Sequence, residues 1–159
     1  MSETNTKKYF NLDDLKRFKA LEGKTLLNVI YFVWINRVTE NSPFVFIDKI
    51  NIQFSDNTEI ILWAGEESDA LCFVDAFDFE TENTMLKKEF EGKIVLKAHS
   101  ANEDKFWKEV LNGEIKHIQL SKESEQYLSD AIILDFGQEK RLIAVSPEEG
   151  IIIDFFEDI

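Results

Sequence analysis

The sequence predicts an α+β fold: two tandem copies of a helix followed by an antiparallel β-meander, sharing one core as a sheet or barrel about a pseudo-twofold axis. Three observations point there. Similar blocks recur in the same order along the chain. A capped, amphipathic helix pattern opens each block, and β-branched and aromatic runs broken by short polar turns follow it.

The recurrence is modest but ordered. FKALEGKTLLNV at 18–29 resembles KKEFEGKIVLKA at 87–98, matching Glu22-Gly23-Lys24 with Glu91-Gly92-Lys93. INIQFSDNTEIILWAGEE at 50–67 resembles IILDFGQEKRLIAVSPEE at 132–149, aligning Phe54 with Phe136 and Glu66-Glu67 with Glu148-Glu149. Each block closes on an acidic-aromatic stretch, 71–80 and 151–158. The spacing grows from 69 residues between the glycines to 82 between the phenylalanines, so the second copy holds an insertion. The chain, 1–159, therefore reads as a single domain built from halves of about 9–80 and 81–159. Halves of that size make marginal cores alone, which is the reason to expect a shared one.

The elements follow in order. Asn11 is a good N-cap, Asp13 and Asp14 fall in the first turn, and Leu12, Leu15 and Phe18 share one helical face. Gly23 ends that helix. Residues 24–38 are rich in Val, Ile, Tyr, Phe and Trp, and so long a strand predicts a bulge. Strands at 44–47 and 50–54, a turn at 55–57, a strand at 58–64, an acidic turn from Gly65 to Asp69 and a strand at 70–79 complete the first copy. In the second, Thr84 precedes a helix carrying Met85, Leu86 and Phe90, closed by Gly92, and a strand begins at Lys93. The insertion predicts a helix over 103–112, where Phe106 and Val110, and Trp107 and Leu111, are spaced i,i+4. A strand at 114–120, a helical turn at 122–129 and strands at 131–136, 140–146 and 151–156 follow.

Charge narrows the function. The net charge is −13, yet residues 1–50 carry an excess of two positive charges. Between Lys49 and Lys87 there are nine acids and no base, and the tail beyond Arg141 holds only acids. Such a surface repels nucleic acids and anionic membranes and attracts basic partners. No apolar run approaches the ~20 residues that span a bilayer. MSETNTKKYF has no signal-like apolar region, so the expected compartment is the cytoplasm.

Candidate chemistry is sparse. Cys72 has no partner for an intramolecular disulfide and reads as a buried, inert thiol. With His99 and His117 as the only histidines there is no zinc set, and both read as structural. No G-x-S-x-G, P-loop or dinucleotide fingerprint occurs, and no cofactor or metal is expected. Carboxylates at the two strand ends, Asp75, Asp78 and Glu80 with Asp154, Glu157 and Asp158, define an enzyme alternative using a hard cation or acid–base pair. The aromatics Tyr31, Phe32 and Trp34 occupy both parities of one strand, so some pack beneath a helix or form a partner-binding patch.

The expected function is a non-catalytic acidic binding protein engaging a basic macromolecular partner, of the inhibitor or immunity type. Its partner-binding residues are Glu66, Glu67, Asp69, Glu148 and Glu149, on equivalent turns of the two copies. A structural subunit forming a homodimer through a sheet edge is a further alternative.

Overall fold

The computed structural model describes residues 8–37 and 44–157. These form a mixed fold, mostly strand, in which a curled antiparallel sheet makes a half-barrel accompanied by two helices. In chain order the elements are α1 (Leu12–Lys19), β1 (Leu26–Asn36), β2 (Phe44–Phe54), β3 (Glu59–Trp63), β4 (Cys72–Phe73), α2 (Phe79–Glu89), β5 (Ile94–Ser100), β6 (His117–Gln119), β7 (Lys122–Glu123), β8 (Gln126–Tyr127), β9 (Ala131–Asp135), β10 (Lys140–Ser146) and β11 (Gly150–Phe155). No helix among the described residues is long and apolar enough to cross a membrane.

The first helix starts where its cap predicts. Asn11 Oδ1 accepts the Asp14 N–H at 2.8 Å, and Asp14 Oδ2 accepts the Asn11 N–H at 3.0 Å. Phe18 points into the core. Gly23, at φ +91°, then turns the chain into β1.

β1 lies antiparallel to β2 with two irregularities. Leu26 faces Phe54 and Asn28 faces Gln53, so Leu27 is an extra residue in β1, the expected bulge. Phe32 faces Lys49 and Val33 faces Ile47, so the second extra residue is Asp48, in β2. The two short strands expected at 44–47 and 50–54 are thus one strand running through a bulge.

The other edge of β2 is shared between two neighbours. Lys49 to Gln53 pair with β3, whereas Ile47 pairs in parallel with Gly150 and Ile151 of β11. From β11 the sheet continues through β10, β9 and β6. Residues 112–116 then return to the start of β1: Asn112 N–H donates to Leu26 O at 2.7 Å, and Ile115 N–H to Lys24 O at 2.9 Å. Lys116 N–H bonds Asp135 O at 2.8 Å, so this segment links β9 to β1 and fixes the curl. Among the described residues β5 pairs only with β1, along Ile30–Asn36. On the outer side of β5, Asn83 Oδ1 of α2 accepts the Leu96 N–H at 2.9 Å.

Both faces of β1 are covered. The main core joins Val29 and Tyr31 to Ile50, Ile52, Leu134 and Ile143. On the opposite face α2 covers Phe32 and Trp34, together with Leu86, Ile94 and Leu96. The helix packs against these aromatics and leaves both half-buried.

Three expected elements differ. Residues 103–112 form successive turns rather than a helix, mixing i−3 and i−4 bonds such as Trp107 N–H and Lys108 N–H, both to Asp104 O. Tertiary contacts decide this segment: Trp107 is fully buried and its Nε1–H donates to the Tyr31 hydroxyl at 2.6 Å. The buried Arg141 guanidinium also bonds Phe106 O through Nε. Isolated helices of this length are marginal, so such contacts prevail. Residues 122–129 form the hairpin β7–β8 instead of a helical turn, with Ser124 and Glu125 both at positive φ, as a tight hairpin turn requires. The strand expected over 70–79 shrinks to Cys72–Phe73, because Asp78 caps α2, whose Phe79 start precedes the expected one.

The architecture shows no tandem duplication. β1 pairs along β2, but β5, its expected counterpart, pairs with β1 and not with β9. The division at 80/81 falls inside α2. Phe54 is fully buried and Phe136 is half-buried against the same core. The similar blocks thus sit in different strand pairings.

Two tests follow. A Cβ on Gly150, at φ +74°, would sit 2.7 Å from Ile47 O and 3.0 Å from Phe46 Cδ2, whereas one on Gly23 meets nothing within 4 Å. Gly150→Ala is therefore expected to cost about 2–4 kcal/mol and Gly23→Ala about 1 kcal/mol in urea denaturation. Lys24 Nζ bonds Asp56 at 2.7 Å and Thr58 Oγ1 at 2.8 Å, joining the start of β1 to the β2–β3 turn. Lys24, with help from Thr58, holds the Asp56 carboxyl at about 2. Because that value is depressed, its stabilisation is present above the ordinary value of 3.8 and is lost as pH falls toward about 2. Carboxyl-carbon NMR should give Asp56 a midpoint near 2, returning toward 3.8 in Lys24→Met.

Candidate functional site

The site is built around the bulge in β2. An extra residue in one strand disturbs the alternation of side chains, and here it lets neighbours Asp48 and Lys49 meet. Lys49 Nζ lies 2.7 Å from Asp48 Oδ2 and 3.0 Å from Glu82 Oε1, which α2 supplies. All but 7% of the Lys49 side chain is buried, so its charge depends on those carboxylates. The ammonium also lies 4.7 Å from the centre of the Phe77 ring and 5.6 Å from that of Trp63. Trp63, directly opposite Lys49 in β3, donates its Nε1–H to Asp48 Oδ1 at 3.2 Å.

Beside this set opens a cleft of about 300 Å³. Trp34 and Phe46, opposite each other across β1 and β2, form one wall with ring centres 5.2 Å apart. Trp63 forms another, and Gly65, Glu66 and Ser68 of the β3–β4 loop supply the rim. Asp48, Glu66 and Glu82 line the cleft. With Lys49 the only base among these groups, carboxylates are in excess. Aromatic faces next to carboxylates suit an ammonium or guanidinium, through ring electrostatics and charge-assisted hydrogen bonds.

The expected partner-binding residues occupy two turns. Glu66 and Glu67 are exposed on the β3–β4 loop, and Asp69 there bonds Lys8 Nζ at 3.0 Å. Glu148 and Glu149 are exposed on the β10–β11 turn. Both turns leave the same edge of β2 at neighbouring residues: Ala64 N–H donates to Asp48 O at 3.2 Å, and Gly150 lies opposite Ile47. Glu66 alone of the five also lines the cleft.

The strand-end carboxylates do not converge. Asp75 pairs with Arg17 at 2.8 Å, Asp78 caps α2 by accepting the Thr81 N–H at 3.0 Å, and Glu80 is exposed in the first turn. Asp154 Oδ1 accepts the Phe155 N–H at 2.8 Å, Glu157 is exposed, and Asp158 lies outside the described residues. Among the described residues no three His, Cys, Asp or Glu side chains are placed to hold a metal ion.

Cys72 is exposed rather than buried, because its strand is only two residues long at the sheet edge. Desolvation, aided by Asp14 and Asp69, pushes its thiol up. His99 is exposed on β5. His117, also exposed, bonds Glu22 through Nδ1 at 2.7 Å, in a second cleft of about 300 Å³ between α1 and β6. Lys19 first, then His117 and the Ile118 N–H, hold the Glu22 carboxyl below the usual carboxylate range. No Ser, Thr or Cys lines that cleft.

Lys49, Asp48 and Glu82 were not singled out as a site from sequence, whereas Trp34 was named for a partner-binding patch. The available signal was an acid–base pair, Asp48-Lys49, inside an otherwise apolar run. Removing the ammonium should leave buried carboxylates unpaired, so Lys49→Met is expected to destabilise the fold by about 3 kcal/mol in urea denaturation at neutral pH. Adding Asp48→Asn should recover part of that loss, and a Lys49→Met chain as stable as the parent would show the set to be solvated. Compared with known protein families, curated proteins and solved structures, the chain matches none.

Proposed function

We propose that the chain is a non-catalytic binding protein of the cytoplasm that engages a basic macromolecular partner, in the manner of an acidic inhibitor or immunity-type protein. The observation that supports this best is the cleft walled by Trp34, Phe46 and Trp63 and lined by Asp48, Glu66 and Glu82, beside two acidic turns rooted at adjoining residues of β2. The turns attract a cationic surface from a distance, and the cleft desolvates one of its side chains. Long-range attraction acts on the rate of association, whereas aromatic contacts act on dissociation.

A fluorescently labelled deca-arginine peptide provides a defined basic probe. Neutralising Glu66, Glu67, Glu148 and Glu149 to Gln should slow its association about tenfold at low salt and flatten the salt dependence. Melting should barely change, since these four side chains are exposed. Trp34→Ala should instead speed dissociation. A probe that binds the quadruple variant as fast as the parent, at low and at physiological salt, removes the acidic turns from the proposal.

A further inference from the structure

The cleft does not end at the sheet. Glu82 lines it and also lines a second hollow of about 420 Å³, which runs along α2. Ala76, Phe77, Met85 and Leu86 give this second hollow an apolar lining, to which Asp78 and Glu89 add carboxylates. Met85, 63% exposed, presents its thioether side chain to solvent within this hollow. Asp78, Glu82, Met85 and Glu89 recur at helical spacing, so they form one stripe roughly 16 Å long. Among the described residues no Lys, Arg or His lines the hollow. The two hollows share Glu82 and both carry carboxylates, so side by side they offer an acidic track with apolar residues of α2 along it.

Resting on the reading that the chain binds a basic partner, we propose that this track receives a short extended segment of that partner, in which an apolar residue lies between Lys or Arg side chains. One cation enters the Trp34–Phe46 cleft at Glu66, the apolar side chain covers Met85 and Phe77, and a second cation meets Glu89. An extended chain rises roughly 3.3 Å per residue, so the α2 stripe holds about five residues. The acidic ends specify the flanking cations, and the exposed methionine adapts to the apolar residue between them.

Two labelled twelve-residue peptides of equal charge test the proposal: one built from Arg, Ser and Leu, the other with every Leu replaced by Ser. Fluorescence anisotropy with the full chain should show the Leu peptide binding about tenfold tighter, the gain expected from burying one such side chain. Met85→Gln leaves the charge unchanged, and its exposed position makes it neutral to folding. It should reduce the preference to within about twofold while leaving the Ser peptide unaffected. Equal binding of both peptides to the parent chain, weakened by the neutralised acidic turns, overturns the α2 track and leaves the basic-partner reading standing. A Leu preference that survives Met85→Gln also overturns it, by placing the apolar contact elsewhere. Failure of both peptides to bind at low salt overturns both.

Discussion

One extra residue in β2 governs the arrangement of everything beside it. At Asp48 the pairing with β1 slips by a residue, and on the opposite edge β3 departs and β11 arrives. A sheet with no such slip would carry one neighbour along that edge. Here the edge is divided, and the branch through β11, β10 and β9 curls away until residues 112–116 return it to β1. Bulges increase local twist, which is the property such a curl needs. The cleft lies at the division because both departing chains leave room there.

The same slip creates an electrostatic condition. Adjacent residues on a regular strand point to opposite faces, so Asp48 and Lys49 would be separated by the sheet. Together with Glu82 they form a buried set whose net contribution to stability is small, since desolvation offsets attraction. Its effect is on specificity of arrangement. The slip at Asp48 gives the Lys49 ammonium one acceptor and α2 gives it the other, so the buried charge ties the helix to this register. The set itself places a cation against Trp63 and Phe77, between carboxylates.

Much of the fold was legible where local chemistry decides it. Asn11 and Asp14 marked the start of the first helix and the length of the apolar run 24–38 a bulge in β1, although the helix stops at Lys19, before the Gly23 expected to end it. The strands β9, β10 and β11 lie within a residue of their expected bounds. What escaped depends on distant partners. Trp107 and Arg141 hold 103–112 in turns although its i,i+4 pattern suits a helix. The similar blocks of the two halves did not foretell the pairing of β5 with β1, which joins residues about 60 to 70 positions apart. For the site, the acidic turns were readable as turns. Their shared root on β2 was not, because it rests on a parallel contact between Ile47 and Gly150 about a hundred residues away.

The Asn83–Leu96 hydrogen bond gives α2 a guarding role. β5 is the outermost strand beside β1, and its backbone on that side is the kind of open edge along which chains add to one another. The Asn83 side chain occupies one of those donors, and α2 stands over the strand that carries it. Loosening this helix therefore bares a template for fibre-like stacking as well as breaking a local contact. Any ligand that clamps α2 in its folded position disfavours that exposure by mass action and protects the chain from self-association.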